Sequence, residues 1–298
     1  MRFLLAVAST LLLFAPRPAS AIDIACLGDS ITQSNSSHLS YRYNLWVKLL
    51  DDGRQFDMVG SLENNSGGNP SWPLHNGSAF DQDHEGHWAW RADDILNGKG
   101  GGGLATWLAG YTPDVVLIHI GSNDALQSQS TPSTVAEIGT IIDTLRADNA
   151  SVTVFLAKLI PTDRVQNPNI IALNAEIDGI ASTKSTAASP IFVVDQFAGF
   201  DVAADTFDGI HPDESGEEKM AQKWFAAMAA NLPECSDGLD NDGDLLIDYA
   251  EDTNCSGAQG ASESPAPPTA VPSLSTPARA LLTALLLGGG LHMRARRR

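Results

Sequence analysis

The chain has 298 residues, with 36 acidic against 18 basic side chains, a net charge of −18 and 43% hydrophobic residues. That length suits one α/β domain with appendages and a real core, and the hydrophobic content excludes wholesale disorder. The acid excess excludes a nucleic-acid partner, because phosphate-backbone binding needs a basic face.

In chain order, Met1-Arg2, the apolar run 3–15 and the small triplet Ala19-Ser20-Ala21 compose a secretory leader, residues 1–21, cleaved after Ala21. Export is therefore expected. Apolar runs of strand length follow at 22–27, 56–59, 115–120, 152–159 and 191–194, and segments of helical period at 41–50, 133–146, 169–181 and 216–230. Ser215 and Glu218 have the spacing of a capping box for the last of these helices. Strands that are apolar on both faces and alternate with helices indicate a parallel sheet covered on two sides. The expected fold class is α/β, a three-layer α/β/α sandwich with a central parallel sheet over residues 22–233.

One stretch breaks the rhythm. Residues 61–103 hold three of the seven histidines and three of the six tryptophans, in a long loop of the kind that carries function. Beyond the domain, residues 234–256 are an acidic loop and 257–277 a linker rich in Gly, Ala, Ser and Pro. Residues 278–298 are an apolar segment ending in Arg294, Arg296, Arg297 and Arg298. Fourteen mostly apolar residues (278–291) are short for a membrane span, but flanking arginines can snorkel.

Four short motifs carry chemistry. The first strand runs into Gly28-Asp29-Ser30, on the sheet edge where ligands of parallel α/β folds bind. The strand at 56–59 stops at Gly60, whose backbone N–H is free to bind an oxyanion, and the strand at 115–120 leads into Gly121-Ser122-Asn123-Asp124, where the Asn123 amide can do the same. Asp208-Gly209-Ile210-His211 sets a carboxylate three residues before an imidazole, just ahead of the last helix. A serine hydroxyl needs an adjacent base to attack an ester, and imidazole titrates near neutral pH. Ser30 is thus the expected nucleophile, His211 its base and Asp208 the group that orients the ring. The backbone N–H groups of Ser30 and Gly60 and the Asn123 side chain are the expected oxyanion hole. Asp29 and Asp124 are expected as hydrogen-bonding supports, and His119, inside an apolar strand, as a core histidine.

These motifs, in this order over residues 23–230, resemble the SGNH (GDSL-type) hydrolase superfamily. Tyr41-Arg42, Leu45-Trp46, Asp83-His84-Glu85-Gly86-His87 and Arg91-Ala92-Asp93-Asp94-Ile95-Leu96 resemble carbohydrate esterase family three, which contains acetylxylan esterases. The resemblance implies an SGNH/flavodoxin-like fold, esterase activity and no cofactor for catalysis. His84, His87, Trp88 and Trp90 are expected at the substrate rim. One departure concerns that rim: where the family commonly has a small-residue pair, this chain has Trp88-Ala89-Trp90. Val271-Pro272-Ser273-Leu274-Ser275, the apolar run and the arginines resemble bacterial carboxy-terminal sorting signals. Such a tail implies sorting or processing machinery as a partner, with membrane contact through the tail only.

Three cysteines in an exported chain suggest one disulfide, and Cys235 and Cys255, which bracket the acidic loop, are the natural pair; Cys26 reads as a buried small hydrophobe. Within the bracket, Asp240, Asp242, Asp244, Asp248 and Glu251 fall at positions 1, 3, 5, 9 and 12 of an EF-hand-type loop, the spacing of a structural calcium site. Leu245 stands at position 6, where glycine is wanted, and would be strained at positive φ.

The expected activity is that of an exported serine esterase, extracellular or on the cell surface, removing short acyl groups from an acetylated polysaccharide such as xylan. A lipase or thioesterase with the same triad is the alternative within enzymes. A catalytically silent surface glycan-binding module is the alternative outside them.

Overall fold

The structure is a computed structural model in which residues 21–264 are described. The leader up to residue 20, and residues 265–298 with most of the expected linker and the whole tail, lie outside the described residues. Within the described residues the strands are β1 (Ile22–Gly28), β2 (Phe56–Val59), β3 (Glu85–Gly86), β4 (Val115–His119), β5 (Thr153–Lys158) and β6 (Ile191–Asp195). They pair in parallel in the order β2-β1-β4-β5-β6, and β3 adds to β1 beyond β2, with Leu27 opposite Glu85. The long helices are α2 (Tyr41–Asp51), α6 (Thr131–Asp148), α7 (Asn167–Lys184) and α9 (Glu214–Asn231). Short ones intervene: α1 (Ser30–Gln33), α3 (Ala92–Asn97), α4 (Leu104–Trp107), α5 (Ser122–Leu126) and α8 (Val202–Asp205).

The period-2 alternation of the strands divides their side chains between two cores. Ala25, Leu27, Val116, Ile118, Val154 and Leu156 pack with Ile95, Ile138, Ile142, Leu173 and Ile177, from α3, α6 and α7. Ile24, Cys26, Leu117, Phe155 and Ala157 pack on the other face with Tyr41, Leu45, Leu49, Met220 and Trp224, from α2 and α9. This is the three-layer α/β/α sandwich expected from the sequence. Every expected strand and long helix is present, with helix ends shifted outward by a few residues. Pro132 and Pro168 sit in the first turns of α6 and α7, where a missing N–H costs nothing, so both helices begin before their prolines. The expected capping box on α9 is corrected. Its cap is Asp213, whose carboxylate accepts from the Ser215 and Gly216 amides, while Glu218 instead pairs with Lys48 at 2.6 Å.

The 61–103 segment is held down by Arg42, which is 1% exposed. Its guanidinium donates to Thr32 O, Gln33 O, Gln82 O and Asn65 Oδ1, tying α1 to two points of the long loop. Burial lowers its pKa to about 10, which leaves it charged.

Cys235 and Cys255 form the expected disulfide, and Cys26 is free and buried. The acidic loop packs where β2 and β5 begin: Gln55 N donates to Gly238 O, Arg54 Nη1 to Asp237 O, and Gln259 Nε2 to Ser151 O. The expected linker therefore starts too early in the sequence reading. Residues 257–264 fold back on the loop, with Glu263 fully buried and accepting from the Asp248 and Asn241 amides.

Candidate active site

The site lies at the carboxyl edge of the sheet. Three adjacent strands, β1, β2 and β4, end there in Gly28, Val59 and His119, and the residues just beyond them are Ser30, Gly60 and Asn123. Asp29 caps α1 through Oδ1, which accepts from Ile31 N, so Ser30 stands at the first position of the helix with 6% of its surface exposed.

Asp208 and His211 approach from the turn before α9. Asp208 Oδ1 accepts from the Ile210 and His211 amides, which folds the turn on itself. At its tip Gly209 has a φ of +82°, the left-handed conformation that favours glycine. Asp208 Oδ2 lies 2.8 Å from His211 Nδ1, and His211 Nε2 lies 2.8 Å from Ser30 Oγ. Burial works against the charged form of Asp208, yet the His211 amide and ring and the Ile210 amide hold its carboxyl below the usual carboxylate range. The ionised carboxylate sets the tautomer: Nδ1 carries the proton toward Asp208, and Nε2 accepts from the serine hydroxyl. Nucleophile, base and orienting carboxylate thus meet as the sequence predicts.

The expected oxyanion donors, the Ser30 and Gly60 amides and the Asn123 side chain, follow the carboxyl ends of three neighbouring strands. Asn123 Nδ2 donates to Trp90 O at 3.0 Å, which fixes the amide plane and leaves its second N–H to bind an anion. Gly60 packs so closely on His84 that a Cβ would fall 2.2 Å from the His84 carbonyl. Next to it, Ser61 donates from both its amide (3.0 Å) and its hydroxyl (2.7 Å) to Glu85. Glu85 is fully buried and also receives His87 Nε2 at 2.7 Å and the Tyr111 hydroxyl. Four donors on one carboxylate lock the Gly60 corner to β3 and hence to the strand that presents Ser30. Sequence reading placed Glu85 in a family motif without a role; the loop contacts that reveal it have no spacing signature.

The support residues match expectation. Burial pushes the Asp124 carboxyl up to about 6 as it accepts from the Ala92 amide, and the Asp29 carboxyl up to about 7. His119 is a core histidine whose Nε2 accepts from the Ile160 amide, and burial lowers its pKa to about 4, so it stays neutral.

The substrate rim differs from expectation. His84 is fully buried, with Nδ1 accepting from Gly86 N. His87 is stacked between Trp90 and Trp107, each 4.4 Å away. Neither histidine faces the crevice, and Trp90 packs against the core. The cause is β3, which draws residues 84–87 into the sheet beside β1. Of the four, Trp88 alone reaches the site: it is 37% exposed and stacks on His211 at 4.8 Å. Ala89 has a φ of 62°, the left-handed conformation, at a cost of about 1 kcal/mol of backbone strain. Phe207, which sequence reading missed, is 43% exposed and stacks parallel to His211 at 5.7 Å.

The expected calcium ligands also divide. Asp240, Asp242 and Asp244 bring carboxylate oxygens within 4.8 Å of one another. Asp248 is 2% exposed and turned inward, accepting from the Asp237 and Gly238 amides, and Glu251 is exposed and outside the cluster. Two inward amides satisfy Asp248 better than a shared exposed site. Leu245 does adopt a φ of +74°, as position 6 of the loop demands.

Residues 26–219 match the GDSL-like Lipase/Acylhydrolase family. The chain belongs to that family. Among solved structures, a carbohydrate esterase family 3 protein from Talaromyces cellulolyticus is 28% identical with a TM-score of 0.61, over 70% of this chain and 97% of that one. A mutant acetyl esterase crystallised with an acetate ion is 30% identical with a TM-score of 0.62, over the same shares. A multidomain esterase of Ruminococcus flavefaciens is 28% identical over 77% of this chain, and the match spans 31% of that protein's length. Residues 26–219 are therefore an esterase domain of the GDSL type, and the geometry described can perform ester hydrolysis. Ser30 Oγ would attack the ester carbonyl as His211 Nε2 took its proton; the imidazolium, held by Asp208, would return the proton to the departing alcohol. Water would then repeat the sequence on the acyl-serine. N–H donors fixed beforehand would meet the negative oxygen of each tetrahedral intermediate.

Proposed function

We propose that this esterase is exported and removes short acyl groups, acetyl in particular, from a polysaccharide such as xylan. The observation that carries the reading is the tight constriction at Ser30, where Ile31, Ser34, Trp88, Phe207 and Pro212 surround the nucleophile and leave no open cavity for a long acyl chain. The Trp88 and Phe207 rings stacked beside His211 crowd it, which favours a short acyl group. The names of the similar proteins, a carbohydrate esterase and an acetyl esterase crystallised with an acetate ion, agree with a short acyl group. Export, with tethering through the tail, is supported by the leader at 1–21 and the arginine-flanked segment 278–298. The acidic loop enters as a structural element, since three converging carboxylates are too few oxygens for a calcium shell.

The test is a chain-length series of aryl esters with acetylated xylan alongside. Acetate is expected to exceed octanoate in kcat/KM by about 100-fold, and acetate is expected to be released from the polymer. A profile rising with chain length would favour the lipase reading; no turnover of any ester, with binding to xylan, would favour the silent binding module.

A further inference from the structure

The imidazole of the triad belongs to a column of rings, and ester hydrolysis as described gives that column no part. In its own plane His211 is engaged at both nitrogens, Nδ1 by Asp208 and Nε2 by Ser30. The Trp88 indole lies nearly parallel to the imidazole, 16° from its plane with centroids 4.8 Å apart, and the Phe207 phenyl lies 14° from it at 5.7 Å. His38 in turn stacks on Phe207 at 4.1 Å and 11°. We propose that Trp88, assisted by Phe207, is a positioning residue of the proton transfer: its π face binds the imidazolium more tightly than the neutral ring and so lowers the barrier to hydrolysis. The inference rests on the ester hydrolysis described above and on neither the acyl group nor the polymer.

Charge is what makes the rings matter. As Ser30 Oγ bonds to the ester carbon, its proton passes to Nε2 and the ring becomes a cation; return of the proton to the leaving alcohol discharges it. The His211 side chain is 15% exposed, so little water reaches that charge. Asp208 answers it at one edge only. An aromatic face carries partial negative charge and attracts a cation centred within about 6 Å, a pull that a neutral imidazole does not feel. Because the contact strengthens in the transition state and not in the resting enzyme, it belongs to kcat.

The backbone holds both rings in place. Trp88 N donates to Gln33 Oε1 at 2.8 Å and His87 N to Gly28 O at 2.9 Å, which ties the indole to both ends of the segment bearing Ser30. Directly after it, Ala89 keeps its φ of 62°, a strain that the surrounding contacts must maintain. Phe207 N donates to the His211 carbonyl at 3.1 Å, so the phenyl belongs to the same turn as the base. A substrate platform would keep its ring faces open. Here His211 lies against Trp88, and Phe207 stacks on both His38 and His211.

The experiment measures kcat and KM on aryl acetate with the whole protein. Trp88→Leu keeps an apolar side chain without a π face; it is expected to lower kcat about tenfold with KM within about twofold, and Trp88→Phe to recover most of the loss. Phe207→Leu, at the longer distance, is expected to lose about threefold. Tryptophans of increasing fluorine content, placed at position 88 alone, drain the π face with little change of shape. Log kcat is expected to fall stepwise along that series while the melting temperature holds. A flat fluorine series, a Trp88→Leu variant with the kcat of the wild type, or a loss carried by KM would overturn the proposal and leave the indole as packing or as a substrate contact. Should Trp88→Leu fail to fold, the fluorine series decides. A wild type that hydrolyses no ester would remove the esterase reading first and the role of the ring with it, whereas hydrolysis with a flat series removes only the latter.

Discussion

The two edges of the sheet use the same residue types under opposite rules. At the carboxyl edge, Asp208 has a side chain 37% exposed, and its ring and amide partners keep its carboxyl below the usual range. At the amino edge, Asp248 is enclosed with Asp237 and Glu263, and burial pushes its carboxyl up to about 7. The charge that works is the one left partly in water and given an imidazole. The charges that hold structure are shut away, and each accepts from backbone amides. A parallel sheet favours this division, since strand ends at the carboxyl edge splay to form crevices, while the amino edge can be closed by a disulfide-bracketed loop.

If the edges are separable in this way, breaking one should spare the other. The largest effect belongs to Ser30→Ala, which is expected to lower kcat on aryl acetate by at least about 10⁴-fold, measured at saturating substrate, with an unchanged thermal midpoint. A variant that retained a tenth of the activity would move the nucleophile elsewhere. At the amino edge, Cys235→Ser with Cys255→Ser opens a bracket of sequence separation 20 and is expected to cost about 3 kcal/mol in chemical denaturation. Its kcat on aryl acetate should stay within about twofold; a collapse of activity would show that the edges are coupled.

The smallest effect sharpens the comparison within the carboxyl edge. Glu217 stands beside the Ser30 crevice, 3% exposed, and burial pushes its carboxyl up to about 8 although the Ser40 amide donates to it. Arg42 favours its charge and Glu214 opposes it. Because its folded pKa lies above the unfolded value near 4.5, this group adds no penalty below pH 4.5 and an increasing one as pH rises toward 8. Glu217→Gln, which keeps the acceptor for Ser40, is therefore expected to gain stability relative to wild type between pH 5 and pH 8, by at most about 1.4 kcal/mol per pH unit. Denaturant midpoints across that range measure it; a constant offset would mean that Glu217 is already ionised in the fold.

Legibility in the sequence followed the range of the forces involved. Ser30, Gly60 and Asn123 could be found because strand ends are local signals, and the Asp208–His211 turn because both partners lie within four residues. Glu85 could not be given its role, since Ser61, His87 and Tyr111 reach it from separate parts of the chain. His84 and His87 were misplaced because a two-residue strand has no periodicity, and β3 exists only where β1 offers it an edge. The same holds for Asp248: position 9 of a calcium loop is defined by spacing, but the Asp237 and Gly238 amides that turn it inward are a property of the folded loop.

The sequence by itself determined the parallel α/β sandwich, the triad and the disulfide, because hydrophobic period, strand-end chemistry and a bracketed loop are each written in neighbouring residues. The tertiary structure alone decided which aromatic rings flank His211, how tightly they crowd Ser30, and which side chains Glu85 gathers. Those features are distances between surfaces that meet only after α8, the 61–103 loop and the turn before α9 have packed, and no spacing along the chain encodes them.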